Sequence, residues 1–357
     1  MIHIVGAGPA GNYTAYQLAK KGQAVTVHEE HKTIGSPIQC TGILTGNLQE
    51  LLPIKKDYLV NTIKRVKVYS KHQTADFKLQ QKNYVVNRTD FDRYIASLAK
   101  KAGAHYQLNS KYEGCTLAKK HITCNFSNGQ QEANILIGAD GPHSAVARSV
   151  NIYDTRRFYH GLQATVKKTF EKDLVEFYIG KHYIAWVVPE NENYARVGVS
   201  SETIAGDMYT WLLKTIGGKI VARQAGPIPI YERNLQTSYQ NRVFLVGDAG
   251  AQVKASTHGG IIPGMIAGKA LAEAIAEHKN YDTLWKKRLA KDLLIHGLIK
   301  KMMDNFDEKD FDYLLQLMRK PAVKNIIETF DREFPKHYAT KLILREPRFL
   351  RFFTKLF

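Results

Sequence analysis

The sequence contains few cysteines and no long apolar run. Its 357 residues include only Cys40, Cys115 and Cys124, which lack both the CxxC spacing of a zinc site and the even number typical of a disulfide framework. No uninterrupted apolar segment approaches the roughly 18 residues of a membrane-spanning helix. No basic and apolar leader precedes the first predicted strand. We therefore expect a cytoplasmic protein without a metal site.

Acidic residues are also scarce relative to basic ones. Asp and Glu number 33 against 51 Lys and Arg, which gives a formal net charge of +18 at pH 7. Such a charge favours an anionic partner, whether nucleic acid, lipid headgroups or a phosphorylated substrate. Because no recognised nucleic-acid-binding module is present, we expect no nucleic-acid partner. The 44% of apolar residues suffices for a sizeable core.

A strand, a glycine turn and a helix open the chain in the order that a dinucleotide-binding unit requires. The apolar segment IHIV at 2–5 is followed by GAGPAG at 6–11 and then by a helical pattern. The first glycine permits a tight turn, the second lets the backbone approach a pyrophosphate, and the third allows close packing of helix and strand. A second strand ends at an acidic residue that can accept hydrogen bonds from a ribose. The candidate cofactor-binding residues of this segment are Gly6, Gly8, Ala10, Gly11 and Glu29.

A second acidic residue with glycines lies further along the chain. The strand pattern RVFLV at 242–246 precedes Gly247, Asp248 and Ala249, and GGI at 259–261 opens a helical pattern. This segment resembles the GDA-and-glycine segment of flavoproteins of the glutathione reductase type, in the branch of p-hydroxybenzoate hydroxylase. The resemblance implies FAD, with Asp248 accepting a hydrogen bond from a ribityl hydroxyl. It places Gly259, Gly260 and Ile261 at a helix N-terminus beside the flavin ring.

Three other segments are similar to the same branch. ILIGADGPHS at 135–144, with Arg148, resembles its GADGxxSxVR segment and implies that Asp140 lies near the pyrophosphate. Arg88, just before a predicted helix, is similar to the family arginine that reaches the cofactor. Cys115 lies where the family passes its backbone along the adenine, although a plain structural strand also fits this position.

The order of patterns predicts an α/β fold with a discontinuous cofactor domain. We expect a Rossmann-like FAD-binding domain of the glutathione reductase / p-hydroxybenzoate hydroxylase type, formed by residues 1–60, 84–150 and 235–280. Alternating aromatic and β-branched residues at 155–234 predict an antiparallel sheet that covers the flavin and walls a substrate cavity. Residues 281–357 are expected to form a C-terminal helical region.

Two motifs resemble those of one family in this branch. GSPIQCTG at 35–42 resembles the PxxCxG segment of geranylgeranyl reductases, including the archaeal digeranylgeranylglycerophospholipid reductases. YIAWVVP at 183–189, followed by GVS at 198–200, resembles their YxWxFP and GxG signature. The segment departs from the pattern, since Ile184 replaces an aromatic residue and Val188 replaces Phe. These departures affect the expected length and fit of the substrate.

The resemblance implies reduction of isoprenoid double bonds, with a hydride from reduced flavin and a proton from the protein. NADPH, NADH or a small redox protein such as ferredoxin could supply the electrons. Cys40 is a candidate proton donor and Tyr183 a second one, and Cys40 and Thr41 could also contact the flavin through their backbone. A cysteine and an aromatic strand of this kind equally fit a plain buried core. The candidate substrate-binding residues are Tyr183, Trp186, Pro189 and Gly198.

Two further hypotheses remain at this point. The same fold supports flavin monooxygenases such as aromatic hydroxylases, although the WxWxIP signature of halogenases is absent. Separately, residues from Pro347 onward predict an amphipathic helix with Phe349, Leu350, Phe353, Leu356 and Phe357 on one face. Such a helix suits an anionic membrane surface at the inner face of the cell membrane, or docking onto the protein's own core.

Overall fold

The structure, a computed structural model, describes residues 1–153, 156–203 and 205–356. The chain forms two compact units, each assembled from three segments. Unit 1 comprises Met1–Ile38, Arg88–Arg157 and Pro229–Leu294. Unit 2 comprises Gln39–Asn87, Phe158–Ile228 and Ile295–Phe357.

The strands are numbered in chain order. They are β1 (Ile2–Val5), β2 (Val25–His28), β3 (Ile43–Leu44), β4 (Leu59–Tyr69), β5 (Thr74–Val86), β6 (His105–Gln107), β7 (Tyr112–Leu117), β8 (Ile122–Phe126), β9 (Gly129–Ala133), β10 (Ile135–Gly138), β11 (Phe158–Lys167), β12 (Leu174–Gly180), β13 (Tyr183–Pro189), β14 (Tyr194–Ser201), β15 (Lys219–Pro229), β16 (Ser238–Tyr239) and β17 (Val243–Leu245).

The α-helices are numbered in the same way. They are α1 (Pro9–Lys20), α2 (Leu48–Leu51), α3 (Arg88–Lys101), α4 (Ala145–Ser149), α5 (Ala205–Ile216), α6 (Ile261–Ala276), α7 (Tyr281–Asp304), α8 (Glu308–Met318), α9 (Pro321–Thr329) and α10 (Ala339–Arg345). Short 3₁₀ helices cover Gly247–Gly250, Pro335–His337 and Pro347–Leu356.

Unit 1 is built on a six-stranded sheet with the order β16-β17-β10-β1-β2-β6. The pairs from β17 through β6 are parallel, and only β16 runs antiparallel to its neighbour. Every residue of β1 and β2 is buried, as expected for strands covered on both faces. A separate three-stranded sheet, β7-β8-β9, lies in the same unit. These features confirm the predicted Rossmann-like class.

Unit 2 is built on an eight-stranded sheet with the order β15-β11-β14-β13-β12-β4-β5-β3. The neighbouring strands β11, β14, β13 and β12 pair antiparallel in that order, whereas β12 and β4 pair in parallel. One face packs on α5 through a core that includes Ala164, Ala185, Val197 and Leu212. We call this the α5 face. The opposite face, here the Trp186 face, is apolar around Trp186.

The division into units differs from the boundaries expected from sequence. Residues 39–60, which the sequence pattern predicts in the cofactor domain, lie in unit 2 because β3 pairs with β5 and β5 pairs with β4. The C-terminal helices from Ile295 onward also belong to unit 2. Sheet pairing between segments far apart in sequence therefore sets the limits of the units, and composition alone does not mark them.

The C-terminal segment Pro347–Leu356 is a 3₁₀ helix, so the expected α-helical face is not formed. Residues three apart align in a 3₁₀ helix, and Phe349 accordingly packs beside Phe352, which is 3% exposed. Arg351 and Lys355 lie at the Asp310 carboxylate. Leu350 and Phe353 remain exposed, and Phe357 lies outside the described residues. Within the described part of the chain, no helix combines the length and apolarity needed to cross a bilayer.

Candidate functional site

Helix α1 packs against the glycine turn more closely than a side chain would allow. Gly6 has φ of +100°, and a Cβ placed there would lie 2.8 Å from the Ala139 carbonyl carbon. A Cβ at Gly11 would overlap the Gly6 carbonyl oxygen and lie 3.0 Å from Ala139 Cβ. Both glycines are therefore explained by contacts inside the protein.

Gly8 has a different environment. A Cβ at this position would meet no protein atom within 4 Å, so packing inside the chain does not require glycine here. Gly8 is the N-cap of α1, Pro9 occupies the first turn, and no side chain caps the helix. The N-terminal backbone of α1 can thus be approached closely by an external anionic group, as a pyrophosphate requires.

Glu29 follows β2 and faces the glycine turn. Its Oε2 accepts a hydrogen bond from the Ala7 N–H at 2.8 Å. Its Oε1 accepts from the His31 backbone N–H at 3.1 Å and lies 2.6 Å from the His31 Nδ1. The carboxylate is therefore fixed next to the phosphate-binding turn, where the fingerprint places a ribose acceptor. Sequence reasoning had not identified His31 as its partner.

Asp248 lies in the 3₁₀ turn that precedes α6. A Cβ at Gly260 would lie 2.7 Å from Asp248 Oδ1, so only glycine permits this approach. Gly260 is the N-cap of α6, and no side chain caps that helix either. Burial raises the pKa of Asp248 to about 6, and the positive charge of Arg88 opposes the rise. The Asp248 carboxylate, a hydrogen-bond acceptor, thus lies beside the N-terminus of α6, a second helix without a side-chain cap.

Arg88 links the acidic groups of unit 1. Its guanidinium donates to both carboxylate oxygens of Asp92, at 3.1 and 3.0 Å. Burial raises the pKa of Asp92, whereas Arg88 lowers it and the charge of Glu29 raises it further. The charge of Arg88 therefore acts on both Asp92 and Asp248, and the charge of Glu29 acts on Asp92.

Asp140 and Cys115 are held by neighbouring groups of unit 1. Asp140 accepts from the Ser144 hydroxyl at 2.7 Å and from the Val146 N–H at 3.0 Å, which orders the start of α4. Cys115 lies opposite Cys124 in the small sheet, and its Sγ is 3.5 Å from the Ser149 Oγ. Asp140 thus shapes the loop after β10, and the contacts of Cys115 are those of a structural strand.

Cys40 and Thr41 lie in unit 2, where side chains of two strands, β14 and β15, hold their backbone. The Gln224 amide accepts from the Cys40 N–H and donates to the Cys40 carbonyl, both at 3.4 Å. Arg196 donates to the Thr41 carbonyl. The Cys40 Sγ accepts from the Gly42 N–H at 3.3 Å, and the residue as a whole is partly exposed. The backbone of the PxxCxG segment is thereby fixed.

Trp186 and Gly198 lie in one cross-strand row with a residue that sequence reasoning missed. Register pairs Gln163 with Gly198, and Gly198 with Trp186. A Cβ at Gly198 would lie 2.6 Å from the indole ring, so the indole can cross β14 only at a glycine. The signal was present in LQATV at 162–166, where a polar residue stands in an apolar strand.

Tyr183 and Pro189 occupy other positions. Strand alternation puts Tyr183 on the α5 face, where it packs with Leu212 and its neighbours, away from Trp186. Burial raises the pKa of the Tyr183 hydroxyl. Pro189 is buried at the end of β13, where its carbonyl accepts from the Asn61 side chain at 2.8 Å. The structure thus groups Cys40, Thr41, Trp186 and Gly198 and separates Tyr183 from them.

The residues of unit 1 define a flavoprotein. Two helices without side-chain caps, a carboxylate beside the glycine turn and a second carboxylate beside a glycine N-cap match the needs of a long dinucleotide. The FAD binding domain family matches residues 1–215. The chain belongs to this family, and its cofactor is FAD. Among the described residues, no group of three or more His, Cys, Asp or Glu is placed to hold a metal ion.

Curated relatives match nearly the whole chain. The digeranylgeranylglycerophospholipid reductase of Methanosarcina acetivorans is 26% identical, over 97% of this chain and 95% of the relative. The digeranylgeranylglycerophospholipid reductase of Methanocaldococcus jannaschii is 24% identical, over 99% of this chain and 97% of the relative.

Solved structures share the fold. A geranylgeranyl bacteriochlorophyll reductase-like protein from Thermoplasma acidophilum superposes with a TM-score of 0.86 at 22% identity, over 100% of this chain and 98% of that one. A flavin-dependent brominase gives 0.72 at 16% identity, over 97% and 99%.

Gly11 packs against backbone, whereas a Cβ at Gly8 would meet no protein atom within 4 Å. Substitutions at these two glycines should therefore have different effects. Gly11→Ala should destabilise the FAD-free protein by about 1–3 kcal/mol, because the new methyl overlaps backbone. Gly8→Ala should change that stability less and instead weaken FAD binding, since its methyl occupies the approach of the pyrophosphate. Urea unfolding and FAD titration measure both effects. Equal unfolding free energies for the two variants, or unaltered FAD affinity in Gly8→Ala, would contradict the assignment.

Asp248 predicts a pH-dependent difference. Its folded pKa of about 6 exceeds its ordinary value of 3.8, so the folded FAD-free protein binds this proton more tightly between the two values. This contribution to stability is present at low pH and is lost as pH rises through about 6. Asp248→Asn removes it.

The Tm of the FAD-free Asn variant minus that of wild type should therefore increase between about pH 4 and pH 7. FAD affinity should fall roughly 10- to 100-fold, because a charge-assisted hydrogen bond is lost. A Tm difference that is constant across pH would show that Asp248 does not titrate as described.

Proposed function

We propose that the protein is an FAD-dependent reductase that saturates double bonds of geranylgeranyl chains, in precursors of membrane lipids. The observation that carries this proposal is the near-full-length similarity to digeranylgeranylglycerophospholipid reductases. The placement of the two family motifs supports it, since Cys40, Thr41, Trp186 and Gly198 lie in one unit. The brominase likeness, at 16% identity, concerns the fold alone.

Saturation of an isolated alkene needs a hydride on one carbon and a proton on the other. Reduced FAD supplies the hydride when bound. The Trp186 face supplies the apolar surroundings, with Phe177, Ile179 and Val188 packed around the indole. Such surroundings bind an isoprenoid chain and exclude water, which would otherwise compete as a proton acceptor. NADPH, NADH or ferredoxin returns the two electrons to the cofactor.

Cys40 is the proton donor in this proposal. The residue is partly exposed, and Gln224 accepts from its N–H and donates to its carbonyl, which supports the assignment. The Gly42 N–H donates to Sγ at 3.3 Å, which fixes the orientation of the thiol. Tyr183 packs on the opposite face of its strand, so we assign the proton to Cys40.

The proposed function predicts a defined anaerobic half-reaction. Photoreduced, FAD-loaded protein should be reoxidised on addition of an unsaturated isoprenoid lipid, and the lipid should gain whole units of H₂. Flavin absorbance and mass spectrometry follow the two sides of this balance. Persistent reduced flavin with every geranylgeranyl lipid tested, and no mass gain, would refute the reductase.

Cys40→Ala should retain the flavin spectrum while slowing lipid-dependent reoxidation by about 10²–10⁴-fold, the usual contribution of a general acid. Cys115→Ala is the matched control, since it removes the other partly exposed thiol and should leave the rate unchanged. Equal rates for wild type and Cys40→Ala would exclude the thiol as the proton source.

A peripheral position on the inner face of the cell membrane follows from the proposed substrate. Leu344, Leu350 and Phe353 are 75%, 51% and 40% exposed and lie within one short C-terminal segment. Basic residues accompany them, and the chain carries a net charge of +18. Exposed apolar side chains with nearby cations suit the headgroup region of an anionic bilayer.

Leu350→Ser combined with Phe353→Ser should reduce sedimentation with anionic liposomes and leave Tm within about 1 °C, because surface substitutions have small effects on stability. Phe352→Ala is the control that should lower Tm, since its ring is buried. Liposome binding by the double variant equal to that of wild type would contradict membrane contact through this segment.

A further inference from the structure

The side chain of Gln163 connects two motifs that are distant in sequence. Its Oε1 accepts a hydrogen bond from the Trp186 Nε1–H at 2.8 Å and from the Thr41 hydroxyl at 2.7 Å. Trp186 lies on β13, two strands from Gln163 on β11, a separation of about 10 Å that the indole spans by crossing Gly198. Thr41 directly follows Cys40.

The orientation of the Gln163 amide is fixed by these partners. An indole N–H can only donate, so the atom that faces it must be the carbonyl oxygen. The amide nitrogen therefore points elsewhere. It is buried and has no hydrogen-bond partner among the residues that the structure describes. Gln163 as a whole is 4% exposed.

A buried donor without a partner is rare, because it loses hydration without compensation. A glutamine serving only as packing would leave this cost unexplained, since an apolar residue would fill the same volume. The other glutamine at the segment, Gln224, uses both ends of its amide on Cys40. Gln163 thus has a fixed carbonyl and a buried N–H donor that a bound water molecule could satisfy.

We propose that Gln163 is a positioning residue of the reductase. Its carbonyl fixes the Trp186 indole and the Cys40–Thr41 segment relative to one another, and its amide N–H groups donate to the oxygen of a buried water molecule in unit 2. The inference rests on the proposed function, because it takes the reaction to be the reduction of an isoprenoid double bond. The coupling between Trp186 and the Cys40–Thr41 segment can nevertheless be measured without any lipid.

The coupling is tested by the alkylation rate of Cys40 with iodoacetamide, followed by peptide mass spectrometry in FAD-free protein. Trp186→Phe removes one donor to Gln163 and should change the Cys40 rate by about threefold or more. In a Gln163→Leu background the same substitution should have no further effect. In a Gln224→Leu background, which also loosens Cys40, the effect of Trp186→Phe should persist.

A Trp186→Phe effect of the same size with and without Gln163 would overturn the coupling, as would no effect in any background. Thr41→Val provides a second cycle if Gln163→Leu fails to fold. Because this readout requires no turnover, failure of the coupling and failure of the reductase assignment are distinguishable.

The donor is tested with Gln163→Glu, which keeps the carbonyl acceptor and replaces the N–H groups. A protonated carboxyl group can donate in their place, whereas a carboxylate cannot. Turnover of this variant relative to wild type should therefore fall as pH rises through the pKa of the new carboxyl group. A ratio that is constant with pH would overturn the donor role.

FAD titration of the same variant tests the identity of the acceptor. Unchanged FAD affinity together with pH-dependent turnover supports bound water as the acceptor. Weaker FAD binding at high pH than at low pH, relative to wild type, would overturn this assignment.

Discussion

The close contact between α1, the glycine turn and α6 is the constraint on which unit 1 depends. Gly11 lets α1 meet the turn after β1, Gly6 lets that turn meet Ala139 after β10, and a Cβ at Gly264 would lie 2.9 Å from the Gly247 Cα. Because backbone meets backbone at these points, the N-termini of α1 and α6 keep fixed positions in the unit. The acidic side chains at their entrances, Glu29 and Asp248, can therefore bind opposite ends of one long cofactor.

Unit 2 uses a glycine in a comparable way. Gly198 leaves room for the Trp186 indole to lie across β14 and to reach Gln163 on the far strand. The same Gln163 oxygen accepts from Thr41, so the signature on β13 and the cysteine segment share one polar contact. These hydrogen bonds of Gln163 lie within the apolar Trp186 face. They give the Cys40 segment a defined position, since apolar contacts alone could repack in several ways.

The order of strand, glycine turn and helix at 1–20 could be read from the sequence, because each part has a local physical requirement. The pairing of Asp248 with Gly260 could also be anticipated, since both lie at one strand-to-helix junction. The role of Gln163 could not be anticipated, because its contact with Trp186 depends on how β11, β14 and β13 are aligned in the sheet. Tyr183 and Trp186 lie on opposite faces of β13, although we expected both to contact the substrate, because an odd spacing along a strand reverses the face. The C-terminal segment forms a 3₁₀ helix and not the expected α-helix. The packing of Phe349 beside Phe352, three residues apart, accounts for this difference.

The central claim is that the cofactor of this protein delivers hydrogen, and not oxygen, to an isoprenoid chain. Its most direct test is the mass of the lipid after a single turnover of reduced, FAD-loaded protein under ¹⁸O₂. The account predicts a product heavier by H₂ for each saturated double bond and free of ¹⁸O. A product that carries ¹⁸O would contradict it and would assign the chain to the monooxygenases of the same fold.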